Sequence, residues 1–444
     1  MKKLTAIVLS ALMLTAVVPV QGYAENITEN VEVMEENGAT ILRAGNIEYT
    51  IGGDGYARPQ SVINQSVSSV YLPASVDGYP VRYDTNQGEV FRLCPNLTEI
   101  NVDPDNAYLK SMDGVLFSKD GESLYAYPRA KTGDYVIPDG TLIVENHAFD
   151  WTKQLGSVTV PDSVVEVWEA FYHSSVTEFV GAVPLVRARM LTGCDRLRSI
   201  TIRASRVGTV DALFRSLPAL ESLSFAPDVM VTNSVSILQC PKLRHIDLPQ
   251  TFPTSSLERF GGVDFMISEC ESLEFVSMYN GRLSRVWNGK IQIEKCPVLQ
   301  EIEIKQIPYV YSQYTLHLSD LPALARITVT EMPQSAVAGT DPADDSVFDP
   351  FSIGENCGTF TVSGHLANTN LRRWCEENDV PFESLDKRGD ANLDGEISVV
   401  DAVMLQRWLL GLAGVSCGES ADLNGDGSVD IFDLALLKRM LLER

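Results

Sequence analysis

The chain has 444 residues, 45% of them hydrophobic, and its 59 Asp and Glu outnumber 35 Lys and Arg to give a formal charge of −24. Such acidity argues against nucleic acid as a partner, because phosphates demand basic patches. The length exceeds one ordinary globular domain unless much of it is a repeat array.

Lys2 and Lys3 open the chain, an uncharged apolar run covers 4–20, and Gly22-Tyr23-Ala24 forms a small-x-small cleavage site before Glu25. This is the pattern of a secretory signal peptide over residues 1–24. An uncleaved anchor is the competing reading; Pro19 and the Gly-x-Ala site favour cleavage. No other long apolar run occurs, so the sequence predicts a secreted, extracellular chain with no membrane span. Residues 25–44 read as a linker.

A short phrase then recurs. Cys94-Pro95-Asn96-Leu97-Thr98-Glu99-Ile100-Asn101-Val102 matches Cys194-Asp195-Arg196-Leu197-Arg198-Ser199-Ile200-Thr201-Ile202. Further copies begin at Leu217, Cys240, Cys270, Cys296 and Leu321, with weaker ones at Asn64, Thr152 and His173. From residue 152 the starts are 21, 21, 23, 23, 30, 26 and 25 apart, in or near the interval of leucine-rich repeats. Each phrase ends in an alternating strand such as Ile302-Glu303-Ile304. A single strand cannot bury its apolar face alone, but stacked neighbours can. Asp120-Gly121 reads as a hairpin turn between 115–118 and 123–127, which explains the 58-residue gap between the phrases at 94 and 152.

The phrasing resembles the BspA-like leucine-rich repeats of bacterial surface and secreted proteins. It is supported by Asp113-Gly114-Val115-Leu116-Phe117, by Tyr135-Val136-Ile137-Pro138-Asp139-Gly140 and by Ala148-Phe149. The resemblance implies a leucine-rich-repeat solenoid, β-rich and mixed α/β, over residues 45–386. Phe360-Thr361-Val362, Leu371-Arg372-Arg373-Trp374-Cys375 and Val380-Pro381-Phe382 look like that family's capping strand and helix. Residues 333–350, rich in Asp, Pro and Ala, read as a loop inserted before the cap.

Eight cysteines in a secreted chain invite a disulfide framework. Yet Cys94, Cys194, Cys240, Cys270 and Cys296 all open the repeat phrase, where Leu217 and Leu321 replace them. A position that accepts Cys or Leu is a buried apolar slot, so these five are expected to be free thiols. Cys357 and Cys375 could pair through the cap, and Cys417 has no evident partner.

The sequence contains no His-Glu-x-x-His, P-loop or Gly-x-Gly-x-x-Gly motif. His147, His173, His245, His317 and His365 are widely separated and read as surface or packing residues. A glycosidase needs two placed carboxylates, and nothing selects a pair among 59. On the outward strand face, one row runs Asn101, Thr159, Val180, Thr201, Ser224, Asp247, Ser277, Glu303 and Thr328. The adjacent row runs Glu99, Ser157, Glu178, Ser199, Ser222, His245, Phe275, Glu301 and Arg326. This is either a plain solvated sheet or a glycan- or protein-binding face around His245, Phe275 and Tyr279.

Two copies of one loop pattern, 32 residues apart, close the chain. The first places Asp390, Asn392, Asp394, Ser398 and Asp401 at loop positions 1, 3, 5, 9 and 12; the second places Asp422, Asn424, Asp426, Asp430 and Asp433 there. Gly395 and Gly427 stand at position 6. Recurring oxygen side chains around a turn-permitting glycine suit a hard cation with six to eight oxygen ligands. An apolar helix follows each loop, but residues 381–389 are too broken for a strong entering helix.

Loop plus exiting helix, duplicated, with Asp at position 12, resembles the type I dockerin over residues 387–444. The resemblance implies a small all-α module with two loop-helix repeats, two calcium ions and a cohesin module of a scaffoldin as partner. It assigns the side chains above as ligands, with Glu396 and Ser428 contributing backbone carbonyls and Ser398 acting through water. It also implies cohesin contacts at Val399, Val400, Gln406 and Arg407, and at Ile431, Phe432, Lys438 and Arg439. Their near-symmetry implies two docking orientations related by a half-turn. The whole chain then reads as a secreted non-catalytic cellulosome subunit that mounts a binding or adhesion module. The alternative is a dockerin-borne hydrolase of plant cell-wall polysaccharide with its active site in the repeats.

Overall fold

A computed structural model describes residues 31–443, apart from 37–38, 85–89, 183–184, 187–189, 204–208, 227–228, 249, 252–263, 280–290, 307–315, 331–349, 367, 393–394 and 413–417. The chain starts with a four-stranded antiparallel meander, Glu32–Glu36, Ala39–Ala44, Ile47–Ile51 and Ala57–Val62. Part of the stretch read as a linker therefore lies in a sheet. Leu42, Ile47, Tyr49 and Val62 point from it into a core shared with Leu72, Ile100 and Leu116.

The repeats build two ladders. One sheet has eleven strands in the order Thr132–Val136, Gln154–Val160, Glu178–Ala182, Ser199–Arg203, Ser222–Phe225, His245–Asp247, Phe275–Tyr279, Glu301–Gln306, Arg326–Val329, Thr361–Gly364 and Phe382–Ser384. Its neighbours pair in parallel, so equivalent residues of successive repeats stack. The second sheet has eight strands, among them Met230–Leu238, Asp264–Ser268, Ile291–Glu294 and Leu316–Ser319. Between the sheets lies one continuous core, to which Ile200, Leu223, Ile246, Val276 and Ile302 contribute from one side and Ile237, Ile267, Ile293 and Leu318 from the other. Each such side chain stabilises by about 1.5–3 kcal/mol when fully buried.

The recurring phrase is a turn as well as a strand. Leu197, Leu220, Leu243, Leu273, Leu299 and Leu324 each donate a backbone N–H to the first residue of their phrase at 3.1–3.2 Å. The residue before that turn is left-handed in these six copies: Gly193, Ser216, Gln239, Glu269, Lys295 and Asp320 have φ between 52° and 74°. Glycine occupies only the first of these. Each other copy accepts about 1 kcal/mol of backbone strain to keep the turn.

The hairpin at Asp120-Gly121 is present, with Phe117 opposite Leu124 and Gly121 at φ 90°. It changes the ladder, however. Glu99–Val102 pairs only with Ser69–Leu72, so Glu99 and Asn101 do not belong to the long rows as expected. The hairpin strands interrupt the repeat, and the long sheet begins at Thr132–Val136. Helix α1 (Thr369–Glu377) closes the other end, capped by Asn368 accepting from Leu371 N–H. Leu371, Trp374 and Cys375 cover the core there. The insertion expected at 333–350 lies almost wholly outside the described residues.

Cys94, Cys194, Cys240, Cys270, Cys296, Cys357 and Cys375 are free thiols, so Cys357 and Cys375 are not joined. Cys417 lies outside the described residues. Burial pushes the Cys94 thiol up to about 11 and Cys194 up to about 12, which suits inert packing residues. Two of the histidines also pack: His147 Nδ1 lies 2.7 Å from Asp150, and His173 stacks on Trp151 at 4.3 Å.

The C-terminal module has two main helices, α2 (Val399–Leu409) and α4 (Ile431–Leu442), with a short turn of helix α3 (Gly418–Ala421) between them. Its core is small: Ala391, Ala402, Leu405, Ala421, Leu434 and Leu437. A core of that size leaves a module of this length marginal without further help.

Candidate calcium and docking site

The two loops repeat one hydrogen-bond pattern. In the first, Asp390 Oδ2 accepts from Gly395 N–H at 2.8 Å; in the second, Asp422 Oδ2 accepts from Gly427 N–H at 2.8 Å. Asp401 Oδ1 accepts from the N–H groups of Ala391 and Asn392, and Asp433 Oδ1 from those of Leu423 and Asn424. The second oxygens of Asp401 and Asp433 accept from Ser398 and Asp430 N–H, both at 2.8 Å. Asp401 and Asp433 are fully buried. Gly395 and Gly427 sit at φ 88° and 85°, the left-handed region that a side chain resists.

These facts give position 12 a second role that ligand counting missed. Ser398 and Asp430 are helix N-caps, and Asp401 and Asp433 complete capping boxes with them. The signal was in the sequence as Ser-x-x-Asp and Asp-x-x-Asp before apolar runs. Both helices therefore begin directly after their caps, at Val399 and Ile431.

The donor set is all oxygen, and the turns are formed, so the residues fit a hard cation. Among the described residues no three acidic, His or Cys side chains converge on one point, because the loop carboxylates here accept loop N–H groups. Asp394 lies outside the described residues.

Beside the loops, the helix starts are apolar and open. Val399 is 68% exposed, Val400 55%, Ile431 63% and Phe432 66%. Gln406, Arg407, Lys438 and Arg439 are exposed on the same helices, one helical stretch further along. Val403, Leu410, Leu412 and Leu436 are exposed too and had not been singled out. Val403 and Leu436 add apolar surface on α2 and α4, and Leu410 and Leu412 add it just past the end of α2.

The repeat face follows the expected register from Ser157 onward. Ser157, Glu178, Ser199, Ser222, His245, Phe275, Glu301 and Arg326 pair rung by rung. His245 stacks on Phe275 with ring centroids 4.7 Å apart and an 11° interplanar angle. His245 Nε2 also lies 3.0 Å from Asp247. The strand holding Tyr279 pairs with Glu301–Gln306, while the Tyr279 side chain lies outside what is described.

Residues 388–442 match the Dockerin type I domain family, and residues 123–182 and 143–263 match the BspA type Leucine rich repeat region, in six copies. The chain carries BspA-type leucine-rich repeats and a type I dockerin domain. Type I dockerin domains bind calcium and cohesins, and neither family is catalytic. Similar solved structures are bacterial leucine-rich repeat proteins. One from Eubacterium ventriosum is 18% identical, over 44% of this chain and 62% of that one, with a TM-score of 0.29. A leucine rich cell surface protein from Faecalibacterium prausnitzii is 22% identical, over 55% and 49%, with a TM-score of 0.26. A leucine-rich repeat protein from Bacteroides ovatus is 12% identical, over 77% and 99%, with a TM-score of 0.33. The chain thus spans less than two thirds of the first two. No curated protein matches. No helix among the described residues is long and apolar enough to cross a membrane.

Proposed function

We propose that this chain is a secreted, non-catalytic cellulosome subunit. Its dockerin domain binds a scaffoldin cohesin in a calcium-dependent manner and so mounts the repeat domain as a binding or adhesion module. The observation that carries this reading is the pair of open apolar helix starts, Val399-Val400 and Ile431-Phe432, each held beside a calcium-type loop by a buried aspartate. Calcium, in this reading, occupies two sites. One uses Asp390, Asn392, Asp394, Glu396, Ser398 and Asp401; the other uses Asp422, Asn424, Asp426, Ser428, Asp430 and Asp433. Replacing bonds from loop N–H groups by bonds to an ion frees each loop to close around it. At free calcium 100-fold above its dissociation constant, each ion adds about 2.7 kcal/mol to the folded state.

Cohesin contacts fall at Val399, Val400, Gln406, Arg407, Ile431, Phe432, Lys438 and Arg439. The repeat domain meets a glycan or surface-protein ligand on the face around His245, Phe275 and Tyr279, where an aromatic pair interrupts a polar row. Titration calorimetry of the full chain against immobilisable type I cohesins tests the docking half. Binding in calcium and none in chelator is expected; binding that survives chelation sinks the calcium-dependent reading. Screening the same protein against glycans and polysaccharides tests the other half. Turnover of a polysaccharide would replace it by the hydrolase alternative.

A further inference from the structure

The last strand of the long sheet, Phe382–Ser384, ends only six positions before Asp390. Those positions are not slack. Leu385 N–H donates to Gly364 O at 2.9 Å, continuing the sheet. The Asp386 carboxylate is buried in the repeat cap, 2% exposed, with Oδ1 2.6 Å from His365 Nδ1 and Oδ2 accepting Leu366 N–H at 2.6 Å. His365 Nε2 lies 3.0 Å from Thr330 O. Both ring nitrogens of His365 thus face acceptors, which fits an imidazolium donating twice.

On the dockerin side the next residue already reaches the first loop, with Lys387 Nζ donating to Gly395 O at 2.8 Å. Gly389 N–H donates to Ser420 O at 2.8 Å, and Ser420 Oγ donates to the main-chain oxygen of Asp390 at 2.6 Å. A second link crosses from the cap helix, where Arg372 pairs with Glu419 at 2.8 Å. The cap and the dockerin therefore share one short stretch of backbone, bonded at Leu385, Asp386, Gly389 and Asp390, and one ion pair from the cap helix to α3.

We infer that Asp386 is a latch that joins the repeat cap to the first calcium loop, so that calcium taken up by the dockerin stabilises the C-terminal end of the solenoid. The physical basis is linkage: an ion that binds only the ordered loop stabilises whatever must be ordered with it. A flexible tether would transmit none of this, because its slack absorbs the ordering of the loop. Repeat solenoids unravel from their ends, where a terminal repeat lacks one neighbour. A calcium-stiffened plug behind the cap would reinforce that end when calcium is present.

The inference rests on calcium binding by the dockerin, and the test separates the two. Hydrogen exchange of the full chain is followed with calcium and with chelator, in three segments: Thr361–Gly364 with α1, Ser199–Arg203 in mid-solenoid, and α4. Calcium is expected to slow exchange in α4 and, by about tenfold, in the cap, while the mid-solenoid strand stays unchanged. In Asp386→Asn the cap response should vanish and the α4 response remain. A flexible insertion of about ten residues between Asp386 and Lys387 serves as the second variant. It leaves every cap hydrogen bond of Asp386 in place and should also abolish the cap response. A cap that ignores calcium in the unaltered chain, or one that still responds after the insertion, overturns the latch. An α4 that ignores calcium overturns the calcium reading and the latch with it.

Discussion

Asp390 at the head of the first loop is buried, and its main-chain oxygen is held by Ser420, whereas its counterpart Asp422 at the head of the second loop is only half-buried. Lys387 braces Gly395 in the first loop. In the second, the Asp422 carboxylate collects the N–H groups of Gly425, Asp426 and Gly427, and Asn424 bonds Asp426. Two nearly identical sequence patterns thus share their bonds at positions 1 and 12 and differ in what surrounds them. Both use their own carboxylates, and the first is braced in addition by neighbouring protein, through Ser420 and Lys387, and by way of Asp386 adjoins the repeat cap. The second loop should therefore depend more on its ion.

The largest expected effect tests that asymmetry at position 12. Asp433→Ala strips a buried carboxylate that accepts three N–H groups and caps α4. A cost of about 3 kcal/mol is expected, with loss of exchange protection along Ile431–Leu442. Asp401→Ala removes the same bonds from the first loop, but Ser420 and Lys387 remain. Its cost should be smaller, about 2 kcal/mol, with protection in Val399–Leu409 partly kept. Equal losses in chelator would break the contrast between the loops.

Much of this was legible in the residues themselves. The phrase beginning at Cys194 and its copies named the buried slots, and the outward rows from Ser157 to Arg326 stand as alternation predicts. Alternation works because one face of every rung must leave water. What stayed hidden was local polarity with long reach. Asp386, one of 59 carboxylates, carries no periodic mark, yet it lies in the cap. Residues 381–389 looked merely broken, because strand extension and a side-chain latch need partners 20 residues away. The left-handed position before each turn was equally silent, since Ser216, Gln239, Glu269, Lys295 and Asp320 share no side-chain chemistry. The backbone is held there by the stacked turn rather than by the residue. Glu99 and Asn101 were misplaced because pattern matching cannot see a hairpin interrupt a ladder.

A middle-sized effect asks whether the asymmetry reaches the docking face. The helix starts differ in bulk, Val399-Val400 against Ile431-Phe432, and all four are exposed. If cohesin docks over α4, Phe432→Ala should weaken binding by about 2 kcal/mol and Val400→Ala by under 1 kcal/mol, measured by calorimetry in calcium. Docking over α2 reverses that order. Equal, small losses from both would mean that the two orientations are used interchangeably, each rescuing the other.

The smallest effect is a pH dependence that should touch the first loop and spare the second. The ion pair with Asp386 raises His365 above its ordinary 6.5, with a smaller push from the Asp390 carboxylate, while burial opposes. Burial pushes the Asp386 carboxyl up, but bonds from His365 and Leu366 outweigh it and hold it below 3.8. A histidine raised on folding contributes fully below 6.5 and loses its contribution as pH climbs through the raised value. A carboxylate lowered on folding contributes above 3.8 and loses that as pH falls through the lowered value. The latch is therefore fully made between about 3.8 and 6.5. In chelator, protection factors of the first loop and of α1 should decline together as pH rises above that window, while those of residues 424–428 do not follow. His365→Gln should flatten the decline, because glutamine can still donate to Asp386 but does not titrate. A decline shared by both loops would place its cause outside the latch and leave the first loop no more dependent on the cap than the second.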